Sequence, residues 1–334
     1  MRGPPTISNQ YPESNMAMIL LEFTVLLALV IGAAYLLSHG AEAVSDKWGA
    51  TIAGSIVLGL LTTLPEYTFV YWASVKGRYD MAIGSAIGAC TLLVTLGYGL
   101  VILIATSRLS RKPVRTIRLT KATRIDASFL LITALVALVL IWRDGALDVK
   151  EGVVLALIFF LYVGMVFKMS SKHEEGLIHV APKRLLTAGV QMLVGGAVIF
   201  VVSEPFVDAM IHLAKAIHVS PVVIAIVLGP IASEMPEKMT AYITVRRNGS
   251  LAQLSICNFI GSKVNHNSLL LAVMPFVAFL HRGGRVHGLM SEMFLVMSGL
   301  TILVSAMLAR GTIYRWHGGV LVGCYVAAMA LAMR

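Results

Sequence analysis

The sequence predicts an all-α membrane protein, with about ten transmembrane helices in two inverted-topology five-helix repeats. Three observations predict it. The 334-residue chain is 57% hydrophobic and only 13% charged, with mean hydropathy +0.83, more apolar than a soluble core requires. Its apolar residues fall into ten runs near the roughly 20 residues that a spanning helix needs. None alternates with period two, which excludes a β-barrel. Finally, the pair Pro65-Glu66 in the second run recurs as Pro236-Glu237 in the seventh, which marks an internal duplication.

Residues 1–16, with Pro4, Pro5 and Pro12, read as a disordered tail. The runs follow at 17–38, 50–75, 80–106, 125–142, 151–168, 186–213, 219–244, 251–280, 287–309 and 314–333. The first lacks the basic flank and small-residue cleavage site of a signal peptide, so it reads as a permanent helix. Runs two and three enclose the basic connection "KGRYD" and lead into "AIGSAIGAC"; runs seven and eight enclose "RRNGS" and lead into "SICNFIGSK". Five runs per half is an odd number, so the second copy enters the membrane inverted. The expected repeats span 17–168 and 186–334, with their motif regions at about 55–97 and 226–272 and a cytoplasmic connection at 169–185. In that connection "KHEEGLIH" places His173 and His179 six apart, too far for a zinc-binding HExxH face, so it reads as a solvated loop.

The net charge of +10 reports topology rather than a nucleic-acid partner. Lys and Arg concentrate on the side holding the connections after runs one, three, five, seven and nine. Arg108, Arg111, Lys112, Arg115, Arg118, Lys121 and Arg124 weigh most in that balance. That side is expected to be cytoplasmic, with both termini outside. "NGS" at Asn248 then faces the cytoplasm, and glycosylation is not inferred. Cys90, Cys257 and Cys324 lie in apolar runs without paired spacing, so neither disulfides nor a zinc site are expected. No nucleotide fingerprint, phosphate loop or nucleophile triad is present, and neither an enzyme nor a cofactor is expected.

Proline 65 removes a backbone donor and clashes one turn back, so a break or kink is expected there, with freed carbonyls. Thr62, Thr63 and Glu66 have the i, i+3, i+4 spacing that points two hydroxyls and a carboxylate one way beside those carbonyls. Ser233, Glu234 and Glu237 repeat that spacing. Such oxygens suit a hard cation such as Ca2+ or Na+, and inverted repeats would bring the two clusters together near the midplane. The alternative for each carboxylate is an ion pair with Lys238 or Lys263; for Thr62 and Thr63 it is a bond to their own helix. Ser85, Ser262, Asn258 and Asn265 either add ligands or join helices by hydrogen bonds. Glycines 84, 88, 97 and 261 permit close helix approach.

At these residues the chain resembles the cation/Ca2+ exchanger superfamily, of the sodium/calcium exchanger type. The resemblance rests on "LLTTLPE" with "GSAIGACTLL", and "PIASEMPE" with "CNFIGSKVNH". It implies that Glu66 and Glu237 coordinate the transported cation, that Thr62, Thr63 and Ser233 occupy its hydroxyl positions, and that Ser262 is the serine of the second "GSN". Departures are Ala89 and Leu93 in place of polar residues, Glu234 for a serine, Lys263 for an asparagine, and His266 for an acid or amide. The resemblance therefore implies fewer bound ions, with a proton on Glu234 or His266, or with Lys263 as a tethered charge paired with Glu234.

The expected function is a plasma-membrane or inner-membrane antiporter, exchanging Ca2+ or a related cation for Na+ or H+ by alternating access. The first and sixth helices would move across the site. Its partners are inorganic cations and the bilayer, with no nucleic acid. Glu204, beside Pro205, is expected to gate, to pair with a lysine or to mark a kink. Rival readings are a transport-deficient sensor or scaffold on the same fold, and an intramembrane metal enzyme using Glu66, Glu237 and His266.

Overall fold

The computed structural model describes residues 16–47, 59, 62–170, 181–282 and 284–334; of Pro236 and Glu237 it describes the backbone alone. The expected tail and most of the 169–185 connection, including "KHEEGLIH", lie outside the described residues. The helices are α1 (Met16–Lys47), α2 (Leu64–Val75), α3 (Tyr79–Ala105), α4 (Lys121–Asp144), α5 (Val149–Ser170) and α6 (Pro182–Ala216). Then come α7 (Pro221–Arg247), α8 (Ala252–Asn265 continuing through Leu271–Arg282), α9 (Glu292–Ala309) and α10 (Arg315–Ala332). Among the described residues seven of them, α1, α3, α4, α5, α6, α8 and α9, are long and apolar enough to cross a membrane. The other three expected spans fall short for separate reasons. Only 12 residues of α2 form its described helix, the apolar part of α7 is Pro221–Met235, and α10 has 18 residues headed by Arg315.

Helix ends follow local chemistry. Thr120 and Ser291 accept from the backbone N–H of Thr123 and Phe294 as N-caps of α4 and α9, and Gly145 ends α4 in the left-handed region at φ 68°. Proline 65 sits in the first turn of α2, where its missing N–H costs nothing, and Thr63 just before it is a turn. Proline 236, in contrast, lies inside α7, which runs on as helix.

Two π-helical turns interrupt the central helices, Leu93–Gly97 in α3 and His266–Leu270 in α8. They are 173 residues apart at both ends, the same offset that separates Gly88 from Gly261. These helices form the middle of the bundle: 78% of the apolar window of α3 and 67% of that of α8 is buried, against 17% for both α1 and α6. On the outside, α1 and α6 pack on each other through Gly195, where an added Cβ would lie 2.8 Å from the Ala33 carbonyl. Phe206 of α6 stacks on Phe23 of α1 at 5.8 Å and meets Phe69 of α2 edge-on at 6.4 Å.

Connections gather by face. The loop after α3 pairs with the loop after α9 through a short antiparallel ribbon, β1 (Thr116–Arg118) with β2 (Thr312–Tyr314), which the sequence reading did not foresee. It also reaches the end of α7 and the turn after it, through Arg111 N–H to the Arg246 carbonyl (2.8 Å) and Gly249 N–H to the Lys112 carbonyl (3.0 Å). Separately, the loops after α4 and α8 meet in the Leu147–Val286 bridge and in Arg285 donating to Asp144 at 2.7 Å.

Candidate cation-binding centre

Three helices bring the charged side chains together. Glu66 stands in the first turn of α2, Glu234 in α7 and His266 at the start of the π-helical turn of α8. All three are buried, at 1%, 2% and 0% exposure, and their ligand atoms lie within 4.8 Å of one another. Among the described residues, neither Glu66 oxygen has a donor within hydrogen-bond geometry. Two carboxylates held this closely in a dry interior repel each other, and a cation between them relieves that repulsion.

His266 is oriented by its own helix. Its Nδ1 lies 2.6 Å from the Ser262 carbonyl, and because a carbonyl only accepts, Nδ1 carries the hydrogen. The other nitrogen, Nε2, faces Glu234 Oε1 at 3.1 Å. The second Glu234 oxygen forms an ion pair with Lys238, one turn along α7, and the Lys238 ammonium also lies over the Phe259 ring at 4.6 Å.

The remaining sequence candidates are placed as follows. Thr62 and Thr63 both donate to the Gly59 carbonyl (3.4 and 2.5 Å), and Ser233 donates to the Gly229 carbonyl at 3.0 Å. These hydroxyls thus bond to their own chain as hydrogen donors, and their oxygens keep lone pairs able to accept. Ser262 is fully buried, and its hydroxyl has no partner among the described residues. Glu237 cannot be placed in this geometry, since its side chain lies outside the described residues.

Lys263 corrects an expectation. Its ammonium donates to Asn267 Oδ1 at 2.7 Å and lies 3.2 Å from Met297 Sδ, so its direct partner is an amide rather than Glu234, which is held by Lys238. The i, i+4 spacing of Lys263 and Asn267 was available in the sequence; the approach of Met297 from α9 had no sequence signal. Tyr67 of α2 hydrogen-bonds Asn265 of α8 and ties the two helices beside the centre.

A family model described as sodium/calcium exchanger protein matches residues 18–168 and 187–334, nearly the whole chain. The chain belongs to that family. An uncharacterized membrane protein of Methanocaldococcus jannaschii is 25% identical over 293 residues, covering 87% of this chain and 90% of the relative. Among solved structures, a H+/Ca2+ exchanger, CAX, superposes with TM-score 0.77 at 22% identity, covering 94% of this chain and 85% of the other. The sodium-calcium exchanger NCX_Mj, in crystals soaked with Na+ and Sr2+, superposes with TM-score 0.67 at 21% identity, covering 94% and 99%.

As a sodium/calcium exchanger family member the protein is a multi-pass membrane transporter, not an enzyme. On the α3 side, Ala89 and Leu93 offer no side-chain ligand atom; Cys90 Sγ lies 3.9 Å from Asn267 Oδ1, and the Thr91 hydroxyl next to it is buried. Two further features stand away from the centre. Lys76, just past α2, bridges Glu204 and Asp208 of α6 at 3.2 and 3.0 Å, so Glu204 has a lysine partner. In α4, buried Asp126 accepts from Cys257 at 3.8 Å, a pair missed from sequence because a lone acid near the head of an apolar run was passed over.

Proposed function

We propose that this exchanger-family protein is a secondary active antiporter that carries Ca2+ or a related cation through the Glu66–Glu234–His266 centre against Na+ or H+. The observation that carries the proposal is the convergence of these three buried groups, contributed by helices of both halves of the chain. Thr62, Thr63, Ser233, Ser262 and Glu237 complete the ligand set in this reading. The matched π-helical turns and the segregation of the loops by face support ten transmembrane helices in two inverted repeats, 17–168 and 186–334. Basic loops then face the cytoplasm, and both termini face outward across the plasma or inner membrane.

Alternating access follows from the packing. The lipid-facing pair α1 and α6 moves as a unit across the buried core, and the Lys76 bridge to Glu204 and Asp208 is made or broken as α6 shifts. The test is radiolabelled Ca2+ uptake into proteoliposomes with an outward Na+ gradient, an outward proton gradient, or neither, together with Glu66→Gln and Glu237→Gln. Gradient-driven uptake lost in both variants supports antiport and names the counter-ion. Folded protein that carries no cation under any gradient contradicts it.

A further inference from the structure

We infer that the cation taken by this centre is a divalent first-row transition-metal ion, such as Zn2+ or Mn2+, in preference to Ca2+. The inference sharpens the antiport reading and rests on it for transport, but not for binding. Calcium is a hard ion held by oxygen ligands, and its affinity follows the number of charged oxygens that surround it. Among the described residues the centre sets the carboxylates of Glu66 and Glu234 against two fully buried lysines, Lys238 and Lys263. Lys238 is paired directly with Glu234, and Lys263 is held by Asn267 on its own helix. Among the described residues, the Glu234 charge that a hard ion would draw on is thus already answered by Lys238.

The donor atoms point the same way. His266 is fixed as metal-binding imidazoles are fixed: Nδ1–H is anchored on a backbone carbonyl at 2.6 Å, and Nε2 is turned inward to the two carboxylates. A neutral imidazole adds no charge that Ca2+ could use, whereas it forms a coordinate bond to borderline ions in the order of their Lewis acidity. Where α3 and α9 approach, the surroundings are sulfur and amide: Cys90, Met297 and Asn267. One imidazole nitrogen and two carboxylates form an N/O donor set of the kind that suits Zn2+; Mn2+, which favours oxygen, shares the two carboxylates and serves as the spectroscopic probe.

Radiolabelled Mn2+, Zn2+ and Ca2+ uptake, at equal concentrations in the same proteoliposomes, reads the selectivity. The wild-type protein is expected to carry Mn2+ or Zn2+ at least about tenfold faster than Ca2+. His266→Gln, which exchanges nitrogen for oxygen, is expected to lower transition-ion uptake by at least roughly tenfold, the least that even an outer partner of a metal ligand is worth, and to lower it more steeply than Ca2+ uptake. Calcium carried as well as or better than the others by wild-type protein overturns the inference, as does a parallel loss of all three ions in the variant. Pulsed EPR of Mn2+ bound to the detergent-solubilised wild type supplies a reading that needs neither transport nor the variant. Coupling to an imidazole nitrogen with no transport of any ion upholds the inference and defeats antiport; bound Mn2+ without that coupling defeats the inference.

Discussion

Replacing Gly88 by alanine tests how closely α3 and α7 are pressed together beside the centre. A Cβ at Gly88 would lie 2.2 Å from the Ile226 carbonyl oxygen and 2.8 Å from its carbonyl carbon. That carbonyl stands four residues before Pro230, which has no N–H to offer it, so the α7 backbone is unusually open at the contact. Both sides are backbone, and no flexible side chain can give way. To reach an ordinary contact the helices would have to part by about 1 Å, a distance that forfeits much of the dispersion energy of the neighbouring contacts. Overpacking of this kind costs typically about 1–3 kcal/mol, and the backbone clash places Gly88→Ala at about 3 kcal/mol, a midpoint lowered by on the order of 5 °C. The assay is the temperature at which half of the detergent-solubilised protein remains monodisperse. Gly164→Ala is the internal control: nothing lies within 4 Å of the Cβ it would add, and alanine favours helix by about 1 kcal/mol over glycine, so its midpoint should stay or rise. Equal midpoints for Gly88→Ala and wild type would refute the close-contact argument.

Lys238→Met leaves Glu234 buried without its ammonium and should cost about 3–5 kcal/mol, most of it recovered in the Lys238→Met/Glu234→Gln double variant; denaturation midpoints of the two proteins check this. Lys263→Met leaves Asn267 Oδ1 short of its donor, so a stability loss of about 1–3 kcal/mol should be relieved by adding Asn267→Leu and not by adding Glu234→Gln. Equal rescue by both would contradict the amide pairing. At the periphery, Lys76→Ala should change stability by no more than about 1 kcal/mol, less at high salt, because all three partners are partly solvent-exposed. Burial would lower the Lys76 pKa, but its hydrogen bonds to Asp208 and Glu204 outweigh burial and raise it. The raised value means that its contribution is full below the free lysine pKa, about 10.4, and fades only as pH climbs above that. Thermal midpoints of wild type and Lys76→Ala should therefore keep a constant difference from pH 7 to 9.

Much of the fold was legible because it rests on periodicity and on repetition. Apolar runs mark helices whatever their partners, and the repeated Pro-Glu signal has a structural counterpart in two π-helical turns 173 residues apart. The fine structure was not legible for definable reasons. Proline 65 and Pro236 carry the same local signal, yet one opens a helix and the other lies within one, since neighbouring helices decide whether a freed carbonyl is tolerated. The β1–β2 ribbon has three residues a side, too short to impose a pattern. At the centre, the spacing of Glu66 and of Ser233 with Glu234 fixed which faces carry oxygens. Which lysine would answer Glu234 was a matter of three-dimensional packing: Lys238 shares its helix face at i+4, while Lys263 turns toward α9.

The most direct test of the central claim, that Glu66, Glu234 and His266 bind the cation, is ligand-induced stabilisation. A cation that binds only the folded protein stabilises it by about 2.7 kcal/mol at one hundred times its dissociation constant. Thermal midpoints of detergent-solubilised wild type and Glu66→Gln, titrated with Ca2+, Sr2+, Mn2+ and Zn2+, should rise with at least one ion in the wild type and stay flat in the variant. An equal rise in both proteins would mean that the cation binds elsewhere.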